Sequence, residues 1–235
     1  MSAAKQDYPG TTAANKNGDK SPEQKRGVLV TVVVCVLFMF AVLAGFINKM
    51  GQPRVLTGAE MRANGTVELE RPRILDNFTL QSDSGEDWQT SALAGRWTLV
   101  FFGFTHCPDI CPTTMATLNS FYQMLDPEIQ AETDILLVSV DPKRDTPDKL
   151  RQYVDYFNPA FAGVTGEFLS LKRFANQLNV PFNKVPLGDG EYTVDHGSQV
   201  VLINPRGHYH AFFKAPLDPA KMKLTYRSLR ATYNG

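Results

Sequence analysis

Hydrophobic and polar positions fall into three regimes along this 235-residue chain. Residues 1–27 are polar, rich in Gly, Asn and Lys and almost without large apolar side chains, so a disordered tail is expected there. From Val28 to Ile47 the chain reads VLVTVVVCVLFMFAVLAGFI, without a charge or a proline. At ~1.5 Å of rise per residue, roughly twenty such residues cover the ~30 Å hydrocarbon core of a bilayer. The run is apolar on every face, which fits lipid better than a protein core. The expected organisation is a tail over 1–27, a transmembrane anchor over 28–47, a juxtamembrane linker over 48–70 and an α/β domain over 71–235.

Within the domain the period changes from element to element. FTLQSDSGEDWQT reads as two strands around a polar turn, and WTLVFFGF (97–104) as a strand buried on both faces. Met115, Leu118, Tyr122 and Leu125 recur at helical spacing, and DILLVSV (134–140) is a second buried strand. DTPDKLRQYVDYF starts a helix, with Thr146 as N-cap and Pro147 in its first position. SLKRFANQLNV and DPAKMKLTYRSLRATY are further helices, and SQVVLINPRGHYHAFF is a hairpin turning at Asn204–Gly207. This order predicts an α/β, thioredoxin-like fold with an N-terminal β-hairpin extension, behind a single transmembrane helix.

The apolar run exceeds the ~7–15 residues of a signal-peptide core and follows a long polar tail, so an anchor is expected; cleavage near AVLAG is the lesser alternative. Lys16, Lys20, Lys25 and Arg26 precede it, whereas Lys49 and Arg54 follow, which places the N-terminus in the cytoplasm and the domain outside. The tail lacks the character of an organelle transit peptide. A bacterial inner membrane with a periplasmic domain is therefore favoured over a mitochondrial inner membrane facing the intermembrane space. Formal net charge is zero, so the basic field of a nucleic-acid-binding protein is absent.

There are three cysteines. Cys35 lies in the apolar span and reads as a small apolar residue. Cys107 and Cys111 stand in CPDICP, at the turn between a central strand and the next helix, where α/β sheets place their sites. Helix-start N–H groups lower a thiol pKa, and Pro108 and Pro112 stiffen the loop. A cycling or structural disulfide between Cys107 and Cys111, a metal clamp and an idle pair all remain open at this point. A clamp for a soft ion wants a third donor, for which imidazole is suitable. His106 adjoins Cys107 but is expected to point away, while His208 and His210 are expected on a solvated strand face. His196, in the loop of YTVDHGSQVV, faces the cysteine turn on topology and is the best third ligand. Asp141, Arg144 and Asp145 follow a strand on the same edge. They read first as helix capping (Asp145, Thr146) and an ion pair (Arg144), with support of the cysteine loop as the sharper alternative. Lys172 and Arg173 read as a solvated helix face.

FFGFTHCPDICPTTM, SVDPKRDTPDKL and VDHGS, in that order behind one anchor, resemble the Sco/SenC family of cytochrome c oxidase assembly proteins over roughly residues 70–230. The resemblance implies copper, as Cu(I), Cu(II) or both, held by Cys107, Cys111 and His196, with Asp109, Asp141 and Asp195 in support. It implies maturation of the dinuclear copper centre in subunit II of cytochrome c oxidase. A further periplasmic copper chaperone or thiol reductase is a possible second partner. One departure is Gly197, inserted in the family's usual D-H-S; the histidines of NPRGHYH are another. A metallochaperone and a thiol–disulfide reductase acting through Cys107 and Cys111 are both compatible with the motif. Thr105 stands two residues before Cys107 and no proline precedes it, which disfavours a peroxiredoxin; the C-x-x-x-C disfavours an ordinary thioredoxin.

Overall fold

The computed structural model describes residues 22–51 and 54–234, and the chain divides into two units, 1–52 and 53–235. Among the described residues the first contains one helix, α1 (Pro22–Gly51). Its stretch Arg26–Ile47 has a mean hydropathy of 3.0 with no residue buried, and is long and apolar enough for a single membrane crossing. Of the predicted tail, residues 1–21, with Lys16 and Lys20, lie outside the described residues.

The second unit opens with α2 (Gly58–Ala63). A capping box starts it: the Thr57 hydroxyl accepts from the Glu60 amide, and the Glu60 carboxylate accepts from the Thr57 amide. Then come β1 (Thr66–Arg73), β2 (Thr79–Ser82), β3 (Asp87–Gln89), β4 (Trp97–Gly103), α3 (Ile110–Gln123), α4 (Pro127–Ala131), β5 (Thr133–Ser139) and α5 (Pro147–Phe157). They are followed by β6 (Ala162–Thr165), α6 (Phe168–Gln177), β7 (Phe182–Gly188), β8 (Glu191–His196), β9 (Val200–Ile203), β10 (Tyr209–Phe213) and α7 (Pro219–Thr232). Eight strands form one sheet in the order β1-β10-β9-β4-β5-β6-β2-β3; β7 and β8 form a separate ribbon.

β4 is the middle of the core: it is buried at every position and lies between parallel β5 and antiparallel β9. Successive side chains of a strand point to opposite faces. Trp97 accordingly meets Tyr226 of α7 and Phe102 meets Phe174 of α6, so the sheet is covered on both sides. The thioredoxin-like expectation and the β2–β3 hairpin are both present. Thr146 caps α5, accepting from the Lys149 amide, with Pro147 at its start.

Three expectations need correction. The stretch read as a linker contains α2 and most of β1, and Leu56, Met61 and Thr66 within it are buried. β1 is half charged and mostly exposed, so its pairing with β10 rests on backbone bonds that a hydrophobic pattern does not reveal. His210 is buried, edge-on to Trp97 at 5.4 Å and to Tyr233 at 5.8 Å, because β10 is an interior strand. His208 precedes β10 and is half-buried. His196 is the last residue of β8, paired with buried Phe182, rather than part of a loop.

Candidate metal centre

β4 ends at Gly103, the chain turns through 104–109, and α3 begins at Ile110. This turn carries both cysteines. Cys107 is half-buried and its amide donates to the Phe104 carbonyl at 3.2 Å. Cys111 is fully buried in the first turn of α3, and its amide donates to Cys107 Sγ at 3.4 Å. The fit around Cys111 explains Gly103: a Cβ there would lie 3.1 Å from Cys111 Sγ and 3.0 Å from Phe101 Cε1. Both thiols are free.

The β7–β8 ribbon brings in the third donor. His196 Nε2 lies 3.5 Å from Cys111 Sγ, and the donor atoms of Cys107, Cys111 and His196 all lie within 4.8 Å of one another. His196 Nδ1 is 3.0 Å from the Gly197 carbonyl oxygen. A carbonyl can only accept, so Nδ1 carries the hydrogen and Nε2 presents its lone pair to the sulfurs, the arrangement that metal-binding histidines use. Phe101 and Phe104 stand edge-on to the ring at 5.9 and 6.0 Å. Gly197 has its own steric reason, since a Cβ there would come 3.1 Å from Val180 Cγ1.

Burial dominates the electrostatics. It pushes the Cys111 thiol well above the usual thiol range, with the Cys107 side chain adding to the effect. It pulls His196 below the usual imidazole value, against the Gly197 carbonyl and the Asp195 charge, which favour the protonated ring. The pocket thus holds a neutral imidazole and a reluctant thiol. A cation supplies the charge that makes the Cys111 thiolate favourable.

The supporting acids divide. Asp141 is fully buried; it pairs with Arg144, accepts from the Tyr192 hydroxyl at 2.7 Å and lies 3.8 Å from Lys184 Nζ. Arg144 stacks on the Tyr192 ring at 4.0 Å and donates to the Tyr192 carbonyl at 3.2 Å. Tyr192 lies on β8 and Lys184 on β7, so the loop after β5 clamps both strands of the ribbon that carries His196. Asp145 corrects its expected capping role. It is fully buried and turns back to accept from the Thr105 amide, the Thr105 hydroxyl and the Ser139 hydroxyl, bracing the start of the cysteine turn. Asp109 is exposed at the N-cap of α3 without a capping bond, and Asp195 is exposed beside His196. Gly103, Phe101, Phe104 and Tyr192 were not singled out by sequence. Phe101, Gly103 and Phe104 lie within the motif stretch FFGFTHCPDICPTTM, which gives them no role of their own, and Tyr192 stands two residues before VDHGS.

The family model described as SCO1/SenC matches residues 66–230 of this chain. The chain belongs to the SCO1/SenC family. Among curated relatives, a Stutzerimonas stutzeri protein named as copper-binding is 36% identical over 149 residues, covering 63% of this chain and 73% of its own. The Arabidopsis thaliana ScoI structure with copper bound superposes with a TM-score of 0.63 at 30% identity, over 67% of this chain and 98% of that one. BsSco, described as a Sco-family cytochrome c oxidase assembly protein with a disulfide switch, shares the fold at 24% identity and a TM-score of 0.55, over 69% of this chain and 96% of its own. The donor set here fits a soft ion on its own chemistry. Two sulfurs and one imidazole nitrogen suit Cu(I) and offer nothing to a hard, oxygen-seeking cation.

Proposed function

We propose that this SCO1/SenC member is a copper metallochaperone that carries the ion on Cys107, Cys111 and His196. Its target in this reading is the dinuclear copper centre of subunit II of cytochrome c oxidase. Copper is cargo, bound and passed on. The observation that carries the reading is the convergence of three soft donors with His196 Nε2 already aimed at the sulfurs. Asp141 holds the ribbon, Asp195 adds local negative charge, and Asp109 stands exposed at the rim for contact with a partner. The anchor tethers the domain to a bacterial inner membrane on its periplasmic face, close to a membrane-embedded oxidase; a mitochondrial inner membrane is the alternative.

A second reading, a thiol–disulfide reductase acting on the target's cysteines, is favoured by the closeness of the two sulfurs and by the Cys111 amide that supports a Cys107 thiolate. His196 separates the two readings, because disulfide exchange needs only the sulfurs. In His196→Ala we expect tight copper binding and oxidase assembly to be lost while the Cys107–Cys111 pair still oxidises and reduces. Oxidase assembly at wild-type level in that variant would exclude direct delivery and leave the reductase.

A further inference from the structure

Two histidines at this sheet edge have Nδ1 committed to an oxygen. His196 is one, and His106, outside the donor group, is the other. The Thr105 hydroxyl donates its single hydrogen to Asp145 Oδ1 at 2.6 Å. His106 Nδ1 lies 3.1 Å from that same hydroxyl oxygen, which can meet it only as an acceptor. Nδ1 therefore carries a ring hydrogen and lies 3.5 Å from Asp145 Oδ1, which leaves Nε2 as the nitrogen that can offer a lone pair. Asp145 is fully buried and held by two other donors, Thr105 N and Ser139 Oγ, so the relay has a fixed base. Carboxylate, hydroxyl and imidazole in series is the outer support that orients a metal-binding histidine. The ring is about half exposed, its side chain 45% accessible, and is bonded through the backbone to Cys107.

Accessibility gives this imidazole a place in copper transfer. Cys111 is fully buried and out of reach of a partner's ligands, whereas Cys107 is half-buried. An ion being handed over must leave Cys111 and His196 before or as the partner binds it, and Cys107 alone is then a poor host. We propose that His106 Nε2 is a transit donor, which holds Cu(I) together with Cys107 while the ion arrives or departs. The step is ligand substitution without change of oxidation state. On arrival the bond from Cu(I) to its source breaks as bonds to Cys107 Sγ and His106 Nε2 form and the Cys107 thiol proton goes to water. As the ion moves inward its bond to His106 breaks, bonds to Cys111 and His196 form, and the Cys111 proton goes to water. The inference rests on the copper reading above and adds a route to it.

A group that touches the ion only in passage changes arrival and departure by one common factor and leaves the equilibrium alone. The test is stopped-flow transfer of Cu(I) between the full-length protein in detergent micelles and a bicinchoninate chelator, in both directions. His106→Ala is expected to slow both about tenfold, the effect of a barrier raised by about 1.4 kcal/mol, with copper stoichiometry and affinity retained. Thr105→Val, which removes the acceptor for Nδ1, is expected to slow both as well, and Thr105→Ser to restore the wild-type rates. Wild-type rates in His106→Ala or in Thr105→Val would overturn the proposal. So would a loss of affinity in His106→Ala that matches the change in departure rate, since His106 would then be a resident ligand. If the wild-type protein takes up no Cu(I), the copper reading itself fails and this inference with it. Wild-type uptake with unaltered His106→Ala kinetics removes only the transit role.

Discussion

Gly103 leaves the space that Cys111 Sγ occupies, and a methyl group there would meet the sulfur, Phe101 and Leu137 at 3.0–3.3 Å. Gly103→Ala is expected to cost about 1–3 kcal/mol of stability, the usual penalty of overpacking, and to weaken copper binding by displacing the sulfur. Denaturant unfolding and Cu(I) competition titration check the two effects. Titration behaviour at this scale also has a sign. Burial raises the Cys111 thiol and lowers His196. Near neutral pH, copper must therefore displace a proton from Cys111 but none from His196, and affinity should rise with pH. Proton release measured by calorimetry in buffers of different ionisation enthalpy reports this; an affinity independent of pH around neutrality would contradict it. The cysteines and His196 were legible because their residue types announce the chemistry. Gly103, Phe101 and Phe104 were not, because their contribution is a distance to another side chain.

The ribbon β7–β8 is the element on which the site depends most and the one that sequence patterning missed. Outside Phe182 and Val194 its side chains are exposed or half-exposed, so no alternation marks it, and Pro186 argues against a strand. Its link to the rest of the site is the clamp of Asp141 and Arg144 on Tyr192 and Lys184. Tyr192→Phe removes one hydrogen bond to a buried carboxylate, worth about 1.5–3 kcal/mol, but keeps the ring under Arg144. Amide hydrogen exchange over 182–196 should quicken in that variant while exchange in β4 and β5 is unchanged. Equal change across the whole sheet would mean that the contact supports the fold generally rather than the ribbon. By contrast β4 and β5 were readable as continuous apolar runs buried on both faces, and the helices by their buried stripes.

At the scale of the whole molecule, two imidazoles, His210 buried and His196 half-buried, tie stability to pH. His196 and His210 both lie below the ordinary value of 6.5 because burial disfavours the charged ring. The unfolded chain then binds more protons than the folded one once pH falls below about 6.5, so stability is lost with acidification through that window. Glu68, 3.4 Å from His210, is raised by burial and acts with the opposite sign, from the ordinary carboxylate value of 4.5 upward. His210→Phe should flatten the acid limb of the thermal-stability curve; an unchanged limb would mean that His210 does not titrate differently on folding. The apolar helix α1 was legible from hydropathy, whereas the start of the second unit was not, because β1 joins the sheet through its backbone. The function of the domain turns on how it holds copper. X-ray absorption of the full-length protein loaded with Cu(I) should show one copper per chain with two sulfur donors and one imidazole nitrogen, and the nitrogen should vanish in His196→Ala. A copper shell without that nitrogen in the wild type, or one unaltered by loss of His196, would contradict it.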